Sequence, residues 1–246
     1  MLGRINGKPT KDFFVSMITR DINIEESILD LLDNSIDGAN RINNESYQGL
    51  FVKITLNKNE FILEDNCGGF SLETATKYAF RFGRPPGMVA QGGSVGRFGV
   101  GMKRALFKIG NLFEVESKSD SDHFQVDVDV NEWKEKIIKN EDPKDTEINE
   151  DWSFDYVLVN DDNRNLETKG TFIKVTNLHQ DVVDQFEDIH FKRSLTNAIE
   201  NLLSFSLEKG IKISLNGKDI IKKDIRIFTD QTSPYQMELE KNGVKY

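Results

Sequence analysis

The sequence predicts a domain of the α+β class, and three patterns support this prediction. Alternating apolar residues, as over 50–56, are typical of half-buried strands. Long segments at 10–40 and 184–208 place apolar residues at helical spacing. Helix and strand patterns follow one another without the strict strand–helix–strand alternation of a parallel sheet. The length of 246 residues suits one large domain, or one domain with an appendage.

The first half of the chain contains helices, a strand pair and a glycine-rich loop. A helix over 10–40 precedes strands at 50–56 and 61–64, which are joined by a polar turn. Ser71 is a candidate N-cap for a helix over 72–82. Two prolines and several glycines predict a mobile loop over 83–98. A helix then follows at 99–109, and Gly110 is a candidate stop signal.

The second half is predicted to hold most of the strands. Apolar alternation indicates strands at 112–118, 123–130, 153–159 and 170–177, with an exposed acidic loop over 140–151. The helix over 184–208 leads into a hairpin with strands at 211–215 and 219–227. Asn216-Gly217 provides the residue pair that tight hairpin turns favour. The last dozen residues read as a tail.

Composition excludes several classes of function. The net charge of -9 disfavours nucleic acid and membrane surfaces as partners of the chain as a whole, so nucleic acid would bind only through other regions. Cys67 is the single cysteine, and the three histidines lack the spacing of metal ligands, which argues against structural zinc. No apolar run approaches the length of a membrane span. We therefore expect a cytoplasmic protein.

The segment 26–39 places oxygen-bearing side chains on one side of a helix. At about 100° per residue, Asp30, Asp33, Asn34 and Asp37 share one face, whereas the aliphatic residues lie on the other. A solvated acidic surface would produce the same pattern. However, carboxylates at this spacing repel one another, and a bound cation would relieve that repulsion. Mg²⁺ prefers hard oxygen ligands, so this face is a candidate metal-binding wall.

Two glycine segments downstream could complete a ligand site. Asp65 precedes Gly68-Gly69, directly after a predicted strand; this is either a tight turn or a carboxylate placed to accept a hydrogen bond from an adenine amino group. The segment 92–104 combines glycines with Arg97, Lys103 and Arg104 before a helix. It is either a flexible loop with a basic rim or an anion site. Met102 stands where a Walker A loop requires lysine, so this is not a P-loop.

In their order along the chain, these motifs resemble those of the GHKL ATPases, which include DNA gyrase B, the ninety-kilodalton heat-shock chaperones, histidine kinases and MutL. The chaperone, MutL and Microrchidia branches are the most similar. The first motif corresponds to Asp30, Asn34 and 37–39, the second to 65–69, and the third to 96–101. Gly170-Thr171 corresponds to a fourth motif, a Gly-Thr pair that opens a late strand. The resemblance covers about residues 10–180.

The resemblance implies a fold, two cofactors and a set of residue roles. The fold is the Bergerat ATP-binding fold, a two-layer α/β sandwich with helices on one face of a mixed sheet, and the cofactors are ATP and Mg²⁺. Asp30 would be the catalytic base, Asn34 the Mg²⁺ ligand, and Asp65 the adenine acceptor supported by Thr171. The nucleotide-binding residues implied are Asn34, Asp37, Asp65, Gly68, Gly69, Gly96, Arg97, Phe98, Gly99, Val100, Gly101, Lys103 and Thr171.

The sequence departs from the family pattern at two positions. Asp30 stands where the hydrolysing branches usually carry Glu, and it is shorter by one CH₂. Because misplacement by about 1 Å can cost roughly 10²-fold in rate, hydrolysis is expected to be slow or absent. Cys67 replaces the usual first glycine of the second motif, and a packing role suits it better than a reactive thiol.

Two functional hypotheses follow. The first is an ATPase module in which nucleotide orders the lid and closure drives homodimerisation or engagement of a downstream domain or partner protein. The second is an ATP-sensing switch without useful hydrolysis. Histidine kinase activity is disfavoured because all three histidines follow the lid. We expect an ATP-binding domain over 1–180, a helix-and-hairpin extension toward a transducer-like region over 181–233, and a tail over 234–246.

Overall fold

A computed structural model describes residues 7–83, 100–138, 149–159, 165–222, 240–241 and 244–245. In chain order its elements are α1 (Lys11–Arg20), α2 (Ile24–Ile42), β1 (Phe51–Leu56), β2 (Glu60–Asp65), α3 (Leu72–Thr74) continued by a π-helix (Ala75–Ala79), α4 (Gly101–Ile109), β3 (Gly110–Lys118), β4 (His123–Asp129), α5 (Val130–Glu135), β5 (Ile137–Ile138), β6 (Asn149–Glu150), β7 (Val157–Leu158), β8 (Gly170–Leu178), α6 (Gln180–Glu187), α7 (Ile189–Leu202), α8 (Ser204–Glu208), β9 (Lys212–Leu215), β10 (Lys218–Ile220), β11 (Glu240–Lys241) and β12 (Val244–Lys245).

One eight-stranded mixed sheet organises the described part of the chain. Its strand order is β10-β9-β1-β2-β8-β3-β4-β7. Strands β1 and β9 are parallel, and the other neighbours are antiparallel. The register of β2 with β8 places Asp65 opposite Thr171. The chain therefore brings its second and fourth motifs side by side at the end of two central strands.

Helices cover one face of this sheet and enclose the core. The buried residues of α2, which include Leu31 and Leu32, join strand residues such as Ile54 and Phe61 in one apolar cluster, together with side chains from α4, α6 and α7. The opposite face is polar and carries ion pairs such as Lys53–Glu64. This arrangement confirms the predicted α+β two-layer sandwich.

The predicted helix over 10–40 is two helices in the structure. The break between them covers residues 21–23. Asn23 caps α2, because its Oδ1 accepts a hydrogen bond from Glu26 N at 2.8 Å. Its own N–H donates to Glu26 Oε2 at 3.1 Å, which completes a capping box. Both helices are amphipathic, so the apolar periodicity continues across a break that side-chain hydrogen bonds create.

Other boundaries also differ from the sequence predictions. The predicted helix over 72–82 begins after its Ser71 cap but changes to a π-helix and ends at Ala79. The predicted helix over 184–208 is divided into α6, α7 and α8, and Asp188 caps α7 by accepting from His190 N at 2.8 Å. The strand expected at 153–159 is only Val157–Leu158, and α5 was not predicted.

Some predictions fall outside the described residues. These are most of the loop over 83–98, most of the acidic loop over 140–151, and the end of the second hairpin strand, which is described as Lys218–Ile220. The hairpin turns at Asn216 and Gly217, with φ of 49° and 75°, as predicted. No helix in the described ranges is both long and apolar enough to cross a membrane.

Candidate functional site

A cavity of about 640 Å³ lies between α2, the loop after β2, the start of α4 and the β3–β4 turn. This volume is within the range of small-molecule sites, which is about 300–1,000 Å³. The residues predicted for the site that line it are Asp30, Asn34, Asp37, Asp65, Gly68, Gly69, Gly101, Lys103 and Thr171. Val100 is the N-cap residue of α4 and does not line the cavity. Gly96, Arg97, Phe98 and Gly99 lie outside the described residues.

Asp65 is a buried carboxylate with fixed geometry. Its side chain accepts hydrogen bonds from Ser35 Oγ at 2.7 Å, Cys67 N at 2.8 Å and Thr171 N at 3.2 Å. Burial raises the pKa of Asp65, and these three donors oppose that shift. The β2–β8 pairing provides the Thr171 donor and α2 provides Ser35. The result is an oriented acceptor in the cavity wall.

Ser35 is a site residue that the sequence reasoning missed. It lines the cavity next to Asn34, and its hydroxyl donates to the Asp65 side chain 30 positions further along the chain. Ser35 is only 4% exposed. The signal that the sequence offered was the position of Ser35, a small hydroxyl residue beside the aliphatic face of the amphipathic helix.

Glycines allow the backbone segments around Asp65 to approach closely. Gly69 has φ of +59°, and a Cβ there would lie 2.4 Å from Lys118 O. A Cβ on Gly38 would lie 2.5 Å from Cys67 O, so α2 packs directly on the loop after β2. The absence of a side chain at Gly69 therefore allows two segments of protein backbone to pack together, whether or not a ligand also contacts this residue.

Cys67 has the environment of a packing residue. Its side chain is buried, with 2% exposure, and burial together with the Asp65 charge raises the pKa of its thiol. A thiol in this setting stays protonated and unreactive. The positive φ angles of the loop fall on Gly68 and Gly69 rather than on Cys67, so the side chain creates no backbone strain.

The acidic face of α2 borders the same cavity. Asn34 Nδ2 donates to Asp30 O at 3.0 Å, so the amide oxygen is the atom that can bind a cation. Asp30 Oδ2 pairs with Arg104 Nη2 at 2.6 Å, a partner that the sequence reasoning did not identify. Burial and the charges of Asp30 and Asp37 raise the pKa of Asp33. The face is thus a crowded set of oxygen atoms and not a fully solvated surface.

Lys103 lies in the wall of the cavity near the end of the π-helix. It is 1% exposed, and its ammonium donates to Ala79 O at 2.5 Å. The ammonium also lies over the Phe82 ring, 5.6 Å from its centroid. Burial lowers the pKa of Lys103 to about 8. Its predicted contact with phosphate remains a prediction.

The arrangement suits a ligand with a polar base at one end and an anion at the other. Among the residues that line the cavity, Asp65 offers an acceptor, and the start of α4 with Lys103 offers positive charge. The described residues contain no group of three or more His, Cys, Asp or Glu side chains that could hold a metal by themselves. A cation here would take ligands from water and from the anion, which is the usual habit of Mg²⁺.

Known proteins share sequence similarity with this chain over most of the part that forms the cavity. Residues 22–162 match the model of the histidine kinase-, DNA gyrase B- and HSP90-like ATPase family. A segment of 66 residues, 27% of the chain, is 41% identical to sensor protein QseC of Escherichia coli K12 and equally to that of Escherichia coli O157:H7. The match spans only 14% of each of these relatives. Because the family model covers more than half of the chain, the protein belongs to the histidine kinase-, DNA gyrase B- and HSP90-like ATPase family.

Proposed function

We propose that the protein binds Mg²⁺-ATP in this cavity and hydrolyses it slowly. The observation that supports this proposal best is the buried Asp65 carboxylate, which three donors hold at the cavity wall. Family membership supports the same conclusion. The branch of the family closest to this chain remains a prediction.

Recognition of adenine follows from the acceptor character of Asp65. The carboxylate accepts a hydrogen bond from the exocyclic amino group of adenine, with Ser35 and the Thr171 N–H holding it in place. Guanine presents a carbonyl at the equivalent position, which would face the carboxylate as a second acceptor. We therefore propose that the site selects ATP over GTP.

The phosphates lie toward the start of α4 in this proposal. The helix begins at Gly101 and provides N–H groups and a positive terminus, and Lys103 adds a cation. Asn34 supplies an amide oxygen to Mg²⁺, which would neutralise phosphate charge. Gly96, Arg97, Phe98 and Gly99 complete the proposed phosphate contacts, and Asp37 supports the base end of the site or the helix.

Hydrolysis requires a base for the attacking water. Asp30 accepts a proton from that water as the water oxygen bonds to the γ-phosphorus. The bond from the γ-phosphorus to the bridging oxygen breaks, and ADP leaves with the electron pair. Before this step, ATP binding would order the 83–98 segment over the phosphates, and this closure would drive homodimerisation or engagement of a downstream domain or partner protein, as in switches that sense the γ-phosphate.

The second candidate is an ATP-sensing switch without useful hydrolysis. Two observations support it: Asp30 is shorter than the usual Glu, and its Oδ2 is paired with Arg104 at 2.6 Å. In this case binding alone changes conformation. The two candidates share the nucleotide site and differ only in turnover.

Calorimetry with ATP in the presence of Mg²⁺ tests the shared site. Asn34→Ala should abolish binding of the Mg²⁺ complex, and Asp65→Asn should weaken ATP binding strongly, because each removes the group that contacts the metal or the base. Thermal unfolding of each variant controls for loss of fold. Unchanged ATP affinity in both folded variants would show that the site is wrongly assigned.

Phosphate release separates the two candidates. Wild type and Asp30→Asn are compared at saturating ATP, after binding has been verified for each. Turnover that is present in wild type and lost in Asp30→Asn supports hydrolysis with Asp30 as base. Equal inactivity of the two proteins, with ATP still bound, leaves the sensing switch as the function.

A further inference from the structure

One ion pair joins the proposed catalytic carboxylate to helix α4. Asp30 Oδ2 on α2 lies 2.6 Å from Arg104 Nη2, and the two side chains are 30% and 33% exposed. Arg104 lies at the end of the first turn of α4, which begins at Gly101. The residues are 74 positions apart, so the pair ties together two helices that pack against each other.

The Asp30 carboxylate occupies a place suited to an anion. A Cβ built on Gly101 would lie only 3.5 Å from Asp30 Oδ2, so the carboxylate lies beside the first turn of α4. The N-cap residue Val100 has an aliphatic side chain that caps no N–H group, and the first turn contains no acidic residue. Asp30 therefore supplies negative charge from outside to the positive end of this helix.

Arg104 is incompletely satisfied in this arrangement. Its Nε is buried and, within the described ranges, has no hydrogen-bond partner. A guanidinium has five N–H donors, and a phosphate offers three terminal oxygens arranged for several of them at once. Arg104 does not itself line the cavity, but its Nη2 bonds to Asp30, which does. A terminal phosphate in the place of the Asp30 carboxylate would offer that end of the guanidinium several oxygens instead of one.

We propose that Asp30 is an internal substitute for the γ-phosphate, held by Arg104 until a triphosphate displaces it. This inference rests on the proposed function and adds regulation to the same site. ATP recruits Arg104 to its γ-phosphate and releases Asp30 toward the attacking water, whereas ADP leaves the pair intact. The base is therefore released only when the bond to be hydrolysed is present.

If the γ-phosphate displaces Asp30, removing the Asp30 charge should tighten the binding of a triphosphate. Affinities for ADP and for a non-hydrolysable ATP analogue, both with Mg²⁺, are measured by calorimetry on the full chain. Asp30→Asn removes the competing anion, so it should tighten analogue binding about threefold to fivefold, as the strength of a partly exposed ion pair allows. ADP affinity should change less than about twofold, because ADP has no γ-phosphate to compete with the carboxylate.

Two further variants identify the cause. In an Arg104→Met background, Asp30→Asn should produce no gain, because the group for which both anions compete is absent. Asp33→Asn removes a carboxylate one turn away on the same helix, and it should leave the ratio of analogue to ADP affinity unchanged. If Arg104→Met does not fold, the comparison of Asp30→Asn with Asp33→Asn still decides.

Each result has a definite meaning. Selective tightening of the analogue by Asp30→Asn alone supports the displacement. Unchanged or weaker analogue binding, equal tightening of ADP, an equal effect of Asp33→Asn, or a gain that persists without Arg104 would overturn it. If wild type binds neither nucleotide, the proposed function fails and this inference fails with it, whereas normal binding with an unchanged ratio overturns the inference alone.

Discussion

At the scale of single residues, the Asp65 carboxylate shows how burial and hydrogen bonding together define a binding group. Burial alone would favour the neutral acid, which is a weaker acceptor. Donors from Ser35, Cys67 and Thr171 stabilise the charged form and hold its orientation. The acceptor therefore depends on residues from three separate segments of the chain.

Ser35→Ala should weaken ATP binding about tenfold, because a buried carboxylate loses one charge-assisted hydrogen bond worth about 1.5 kcal/mol. Calorimetry measures the affinity. Ser27→Ala is the matched control, since Ser27 is equally buried on α2 but donates to Asn23 O at 2.8 Å outside the cavity. Equal losses in the two variants would mean that the effect comes from the helix and not from Asp65.

Lys103 gives a pH-dependent prediction. Burial lowers its folded-state pKa to about 8, compared with 10.5 as the ordinary value. Between these values the unfolded chain binds more protons, so the stability of wild type relative to Lys103→Met should rise with pH, by up to about 1.4 kcal/mol per pH unit. The hydrogen bond to Ala79 that Lys103→Met loses changes stability at all pH values and leaves this slope nearly unaffected.

Denaturant unfolding between pH 7.5 and 9.5 measures the difference. Lys77→Met serves as the control because Lys77 is exposed and its ion pair with Glu73 raises its pKa, so it stays charged over this range. Parallel stability curves for wild type and Lys103→Met would show that burial does not lower the pKa of Lys103.

At the scale of elements, the sequence predicted strands better than helix ends. Strands β1, β2, β3, β4 and β8 lie close to their predicted positions because alternation follows directly from burial of one face. The breaks before Asn23 and at Asp188 depend on side-chain caps that interrupt the backbone without interrupting the apolar pattern. The π-helix at Ala75–Ala79 has no signature in periodicity.

The candidate site was predictable to the extent that it consists of local motifs. Asn34, Asp65, Gly68, Gly69 and Gly101 were predicted from motifs that are contiguous in sequence, and the structure places them at the cavity. The Asp30–Arg104 and Ser35–Asp65 contacts join positions 74 and 30 residues apart. Such pairs follow from the packing of α2 against α4 and against the end of β2, which one sequence does not reveal.

The loop after β2 should tolerate no side chain at Gly69. Gly69→Ala combines a left-handed backbone angle with a Cβ 2.4 Å from Lys118 O and 2.7 Å from Gly170 O. We expect it to lower the free energy of unfolding by about 2–5 kcal/mol. Gly49→Ala is the control, because φ there is +85° but a Cβ would meet nothing within 4 Å. Gly49→Ala should lower the free energy of unfolding by about 1 kcal/mol. Equal decreases for the two variants would show that close packing around Gly69 does not contribute.

At the scale of the whole molecule, the C-terminal helices and hairpin share the sheet and core of the nucleotide site. Strand β9 pairs in parallel with β1, and Phe186 on α6 contacts Phe61 on β2 with ring centroids 6.3 Å apart. Leu195 and Ile199 on α7 are fully buried in the same core. The predicted boundary at residue 180 therefore divides the nucleotide-binding region from the extension by proposed function, but both regions contribute strands to the same sheet.

A chain ending at residue 180 should consequently lose cooperative folding. Without β9, strand β1 becomes an edge, and the core loses every apolar side chain that α6, α7 and β9 contribute. We expect a broad, weak thermal transition and rapid proteolysis, whereas a chain ending at residue 222 should unfold cooperatively. That control keeps β10 and removes strands β11 and β12, which pair only with each other. Cooperative unfolding of the shorter chain, with a midpoint within a few degrees of that of the 246-residue chain, would show that the nucleotide site and the extension fold independently.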